Sequence, residues 1–307
     1  MGCWFEPRCR AAFYARCYAL IVIPNARPDP SLPTRIISSL IGVLVLFVVL
    51  WEGRIFMLLA LMLILVVGSF ELRYMLRNKG IELNMAFLIG GGLVMLLFSL
   101  PQLHDAYPGV PWREIALGLV LIGAFSSELI VGANIQRFAY SLMAFLYLPW
   151  TLGFFLLLRH SPDGNVGLWI LALPLITSFA NDIGGYFVGR YLGKRKLAPT
   201  ISPGKTVEGS IGGIATSLLL LFLFTTIVRS AYPESPFALF RPVELFVVNL
   251  VLSFAAQLGD LTESMLKRYC GVKDSGYFLP GHGGLLDRLD SHLFTVPLTY
   301  YLLTIFI

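Results

Sequence analysis

The chain has 307 residues, 57% of them hydrophobic and only 13% charged, which is too apolar for an ordinary water-soluble domain. Its net charge of +5 comes from Lys and Arg in short segments beside apolar runs, which points to lipid headgroups and anionic substrates and gives no support to nucleic acid as a partner. Cys3, Cys9, Cys17 and Cys270 show neither metal-ligand spacing nor a disulfide framework.

The first 30 residues read as a loosely ordered or interfacial extension without an assigned role. Glu6 stands where a myristoylation motif needs Ser or Thr, and Arg16 interrupts the one apolar stretch a secretory signal could use. From there on, apolar residues fall in blocks of roughly 17–25, long enough for a helix to cross about 30 Å of hydrocarbon. Backbone in that solvent must hydrogen-bond within its own segment, so the blocks are helices. Their continuity excludes the alternating strands of a membrane barrel. Spans are expected at roughly 34–51, 55–72, 84–101, 114–133, 138–158, 166–188, 209–228, 243–263 and 286–307. The fold class is therefore all-α, a polytopic integral membrane helical bundle of about nine transmembrane helices. Residues 31–160 read as scaffold and 161–307 as a catalytic domain with cytoplasmic loops, because polar residues become dense only after Asn181.

Loops after even-numbered spans hold Arg73, Arg77, Lys79, Arg137, Arg190, Lys194, Arg195, Lys196, Lys205, Lys267, Arg268, Lys273 and Arg288. Those after odd-numbered spans hold only Arg54, Arg113, Arg159, Arg229 and Arg241. The asymmetry puts the N-terminus and the even loops in the cytoplasm and the C-terminus outside.

The end of the sixth span carries Asn181-Asp182, followed by Gly184-Gly185, Gly189-Arg190 and Lys194-Arg195-Lys196. Ionisable residues closing an apolar run are functional candidates. Next, Ser202-Pro203-Gly204-Lys205-Thr206 and Glu208 are expected to form a type II turn at Pro203-Gly204 that presents a hydroxyl and a lysine to phosphate. A Walker motif is excluded, since Pro199 stands where its first glycine should be and no buried strand precedes it. Gly185/Gly189 and Gly209/Gly213 are GxxxG spacings, suited to tight helix packing and compatible with a homodimer.

In the eighth span Asp260, Ser264 and Lys267 are four and then three residues apart and share one helix face, with Glu263 and Arg268 beside them. A snorkelling helix end explains Lys267 and Arg268 but not the deeper Asp260. Lys273-Asp274-Ser275-Gly276 and Leu279-Pro280-Gly281-His282-Gly283-Gly284 follow, and a helix is expected to start near Leu285. The glycine amides and the helix N-terminus would then converge as a phosphate cradle. Asp287 and Asp290, on the first turns of that helix, suit Mg²⁺, which combines a few carboxylates with substrate phosphates.

The block from Ser264 through Lys267-Arg268, Lys273-Asp274, Gly281-His282-Gly283-Gly284 and Asp287-Arg288-Leu289-Asp290 resembles the signature of phosphatidate cytidylyltransferases. The stretch from Asn181-Asp182 to Glu208-Gly209 is similar to a second block of that family, with Ile183 and Val207 departing from its usual residues. Together the likeness covers roughly the last 130 residues. It implies transfer of CMP from CTP to phosphatidic acid with release of pyrophosphate, and a need for Mg²⁺ with room for a second metal or a monovalent cation. Asp260 and Asp287 would hold the metal. Ser264, Lys267, Arg268, Lys273, Asp274, His282, Arg288 and Asp290 would complete the catalytic set. Asn181, Asp182, Ser202, Lys205, Thr206, Glu208, Gly281, Gly283 and Gly284 would bind nucleotide and phosphate. The expected partners are CTP, phosphatidic acid and membrane lipids, the expected location is the bacterial inner membrane with the site on its cytoplasmic face, and a homodimer is allowed.

The rival enzyme is another CTP-using lipid enzyme, such as a polyprenol or diacylglycerol kinase. Prenyltransferases would need Asp at Gly185, and the CDP-alcohol phosphotransferase pattern is absent. A transporter should show broken helices in both halves, whereas the breaks here fall in one.

Overall fold

Apolar blocks closed by Gly and Pro dictate the order of elements. The computed structural model describes residues 32–160, 166–238, 240–278 and 283–306. Its helices are α1 (Leu32–Glu52), α2 (Arg54–Arg77), α3 (Met85–Phe98), α4 (Pro101–Ala106), α5 (Trp112–Val131), α6 (Ile135–Tyr147), α7 (Pro149–Arg159), α8 (Val166–Leu192), α9 (Val207–Ala231), α10 (Pro242–Cys270) and α11 (His292–Phe306). Strands β1 (Lys196–Ala198) and β2 (Ser202–Thr206) form an antiparallel hairpin between α8 and α9. The 1–30 extension lies outside the described residues.

The expected apolar blocks fold as helices, but they differ in length. Among the described residues six spans are long and apolar enough to cross a membrane: α2, α5, α6 with α7, α8, α9 and α10. Helices α3 and α11 and the Ile36–Glu52 part of α1 are apolar but shorter, so the count of about nine transmembrane helices is not carried over. Pro149 at the first position of α7 interrupts the fifth expected span after Leu148, because a proline there has no amide for the helix to use. Large apolar side chains such as Ile122, Leu129 and Phe222 stay exposed on outer helix faces, which suits lipid as the solvent. The protein is an integral membrane helical bundle.

Helices α8 and α9 pack most closely. A Cβ on Gly212 would collide with Val188, and one on Gly213 with Asn181, so both glycines are required by backbone proximity. Gly185 faces the Gly209 carbonyl across the same seam. The two GxxxG spacings thus join helices of one chain, and they supply no argument for a homodimer.

A buried polar ladder fastens α10 to this pair. Thr177 Oγ1 donates to Asn249 Oδ1 (3.1 Å), and Asn249 Nδ2 donates to Ser217 Oγ (3.2 Å). Ser217 and Ser253 share a hydrogen bond of 2.6 Å, and Asn181 Nδ2 donates to the Ser253 carbonyl (3.0 Å). Such bonds satisfy polar groups inside the bundle and fix the register of three helices.

Two local expectations are corrected. Pro203-Gly204 forms no turn; both residues lie in β2. The turn falls earlier, where Ile201 N–H donates to the Ala198 carbonyl (3.2 Å) and Pro199 takes the second position, which its fixed φ favours. The last helix begins at His292 and not near Leu285; Leu286–Arg288 is a single 3₁₀ turn. Asp287 folds its carboxylate back onto backbone amides there, and that local bonding competes with helix formation.

Candidate active site

Helix α10 is the spine of the site. The spacing of Asp260, Ser264 and Lys267 does place them along one face, and each meets a different neighbour. Asp260 forms an ion pair with Lys205 of β2, and Ser264 Oγ donates to Asp260 Oδ1 at 3.4 Å. Lys267 Nζ donates to Asp287 Oδ1 at 2.6 Å and lies 3.5 Å from Glu263 Oε1.

A cavity of about 510 Å³ opens between α8, the hairpin, α9 and α10. Asn181, Asp182, Tyr186 and Arg190 of α8 line it with Ser202, Lys205 and Thr206 of the hairpin, Ser210, Gln257 and Asp260. This is the size range of small-ligand clefts, with polar groups converging from four elements. Asp182 lies within electrostatic reach of Asp260, Asp290, Lys205 and Arg288, which ties the cleft to the loop before α11.

That loop is the second half of the site. Asp287 Oδ2 accepts from the Ser275 N–H (2.9 Å), the Ser275 hydroxyl (2.9 Å) and the Gly284 N–H (2.8 Å). The amides of Leu285 (2.8 Å) and Leu286 (2.9 Å) donate instead to Glu71, a buried residue of α2. Of the amides expected to cradle phosphate at this turn, those of Gly284, Leu285 and Leu286 meet the protein's own carboxylates. Gly283 adopts φ +82°, a left-handed conformation that glycine tolerates. Gly281 and His282 lie outside the described residues.

Charges in this loop are unequal. Burial alone would raise the Asp287 carboxyl, but the Lys267 ammonium and the amides of Gly284 and Ser275 outweigh it and hold it below the usual carboxylate value. Burial pushes Asp290 up to about 6, helped by the nearby Asp260 carboxylate. Among the described residues no three His, Cys, Asp or Glu side chains converge on one point that could hold a metal ion.

Several expected site residues serve structure as well. Asn181 uses its amide on Ser253 and accepts from Gln257 (3.1 Å). Thr206 caps α9 through the Gly209 N–H (3.1 Å). Glu208 accepts from the Lys194 (2.9 Å) and Arg195 (3.1 Å) amides, which pins the hairpin and places it off the cleft wall. Arg268 Nε donates to the Ile201 carbonyl (3.3 Å) at the hairpin turn. Lys273, Asp274 and Arg288 are exposed around the loop. Sequence reasoning missed Gln257 and Glu71. Gln257 was within reach of the same helical spacing, three residues before Asp260; Glu71 had no local signal.

Fold and cleft together define an integral membrane protein with a polar cleft among its helices. Residues 33–306 match the model of the cytidylyltransferase family, and the chain belongs to that family. The phosphatidate cytidylyltransferase of Bacillus subtilis is 37% identical over 275 residues, spanning 89% of this chain and 97% of that protein. The phosphatidate cytidylyltransferase of Synechocystis sp. is 35% identical over 294 residues, 88% of this chain and 96% of its own. That of Haemophilus influenzae is 45% identical over 144 residues, 47% of this chain and 48% of its own.

Proposed function

We propose that this chain transfers CMP from CTP to phosphatidic acid, giving CDP-diacylglycerol and pyrophosphate for phospholipid synthesis. The observation that carries the reading is the pair of lysine–aspartate contacts on one face of α10, Lys205–Asp260 at the cleft and Lys267–Asp287 beside it. It is supported by relatives named phosphatidate cytidylyltransferase that match over nearly their whole length.

A lipid phosphate oxygen bonds to the α-phosphorus of CTP as the bond to the pyrophosphate oxygen breaks, and the electron pair leaves with pyrophosphate. The lipid phosphate is already ionised at neutral pH, so no strong base is required. Lys205 and Lys267 supply ammonium donors beside the cleft, and Arg190 stands at its wall. Arg268, Lys273 and Arg288 add positive charge around it. His282 is assigned as a hydrogen-bond donor to phosphate.

The donor set fits Mg²⁺. Asp260 and Asp287 each hold a cationic lysine, so both sit where positive charge is favourable. Mg²⁺ takes only one or two protein carboxylates and completes its shell with water and substrate phosphates. Asp260 and Asp287 would hold it; when bound it neutralises charge on the reacting and leaving phosphates. Glu263 is fully buried, and neither of its oxygens accepts a hydrogen bond among the described residues, which leaves acceptor capacity for a second cation.

The excess of Lys and Arg on this side supports a site at the cytoplasmic face, and bacterial relatives support the inner membrane. CTP then arrives from water while the acyl chains stay in the bilayer. A homodimer belongs to this reading by resemblance alone. The test is incubation of the purified chain with labelled CTP and phosphatidic acid. Labelled lipid and free pyrophosphate are expected; release of CDP would favour a kinase.

A further inference from the structure

We infer that Glu71, on the scaffold side of the molecule, is a positioning residue for the reaction. It acts through the loop that carries Asp287 and touches no substrate itself. The inference rests on the cytidylyl-transfer reading above.

Glu71 lies on α2, more than two hundred residues away in sequence from the loop it holds, and is 1% exposed. A buried carboxylate is tolerated only with strong partners, and Glu71 has three. Oε1 accepts from Leu285 N–H at 2.8 Å; Oε2 accepts from Leu286 N–H at 2.9 Å and the Ser275 hydroxyl at 3.2 Å. The two amides open the 3₁₀ turn that contains Asp287, so Glu71 caps that turn from another helix. Tight packing enforces the approach. A Cβ on Gly276 would stand 2.6 Å from Glu71 Oε1, and the fully buried Leu286 packs against α2 at Gly68.

Ser275 links Glu71 to the reacting groups. Its hydroxyl lies 3.2 Å from Glu71 and 2.9 Å from Asp287, and its amide also donates to Asp287. The orientation of Asp287 toward Lys267 is thereby set by two anchors: its own bonds to the loop, and Glu71 gripping the same loop from behind. Neither Glu71 nor Asp287 lines the cleft, so loss of Glu71 acts through Asp287 on the chemical step more than on CTP binding at the cleft.

Glu71→Gln keeps the shape but turns one acceptor into a donor facing an N–H or the Ser275 hydroxyl. In the purified full chain kcat is expected to fall at least about tenfold with KM for CTP within about twofold. Amide hydrogen exchange should accelerate at least about tenfold in the peptide containing Leu285 and Leu286, with the helices unchanged. Retention of kcat within about twofold overturns the assignment, and so does faster exchange throughout the helical core, which would make Glu71 merely structural. If E71Q does not accumulate, Ser275→Ala carries the same two readouts with a smaller loss of kcat; unchanged kcat and unchanged loop exchange in that variant overturn the proposal. A wild-type chain that makes no CDP-diacylglycerol sinks the functional reading, and the local exchange measurement still judges what Glu71 holds.

Discussion

The two lysine–aspartate pairs on α10 resemble each other in chemistry and differ in setting. Lys205–Asp260 is open, with side chains 25% and 29% exposed, and joins a helix to a short hairpin. Lys267–Asp287 is more enclosed, at 15% and 9%, and its aspartate is further fixed by two backbone amides and a hydroxyl. An exposed pair is worth little to stability and exchanges partners easily, whereas an enclosed and hydrogen-bonded one is preorganised. One region is therefore suited to admit a charged substrate and the other to hold a reacting group still.

The contrast can be broken at either pair. Asp287→Asn should lower turnover about 10³-fold in the labelled-CTP assay and also lower the melting temperature, because an enclosed ammonium loses the nearer of its two carboxylate neighbours. Asp260→Asn should lower turnover about 10²-fold with melting almost unchanged. Equal destabilisation by the two would erase the distinction. Lys205→Met should raise KM for CTP about tenfold, the scale of one lost charge-assisted hydrogen bond, with a smaller effect on kcat. An unaltered KM would move the nucleotide away from the hairpin.

The smallest effect concerns Asp290. Its carboxyl titrates near 6 in the fold, against about 3.9 in an unfolded chain. The stability contributed by its neutral form is complete below about 3.9 and is lost as pH rises through 6. Asp290→Asn should therefore melt a few degrees above wild type at pH 7.5, with the gap narrowing toward pH 4. A gap independent of pH would assign the strain to something other than charge.

The α10 face was legible because a regular helix converts spacing directly into neighbourhood: Asp260, Ser264 and Lys267 had to align. Lys205 stood out in the sequence as a candidate too, but its presentation on a strand was not legible. Pro199 competed with Pro203 for the turn, and pairing of Ala198 with Ser202 decided it. The start of α11 was misplaced for a related reason. Asp287 is a reasonable first-turn residue by charge, but its carboxylate closes on Gly284 and Ser275 and delays the helix to His292. Glu71 could not be read at all. A glutamate near the end of an apolar run is indistinguishable from a solvated helix end until the fold brings residue 285 to it.

The polar ladder through Thr177, Asn249, Ser217, Ser253 and Asn181 has a consequence for biogenesis. Helices α8 and α9 leave the ribosome ahead of the segment bearing Asn249 and Ser253. Until it arrives, Asn181 lacks the Ser253 carbonyl that its amide meets, while the Ser217 hydroxyl can still donate to the Ile214 carbonyl of its own helix (2.9 Å). Arrival of α10 and satisfaction of the Asn181 amide are therefore one event, so a chain truncated before α10 would leave that buried amide without its partner.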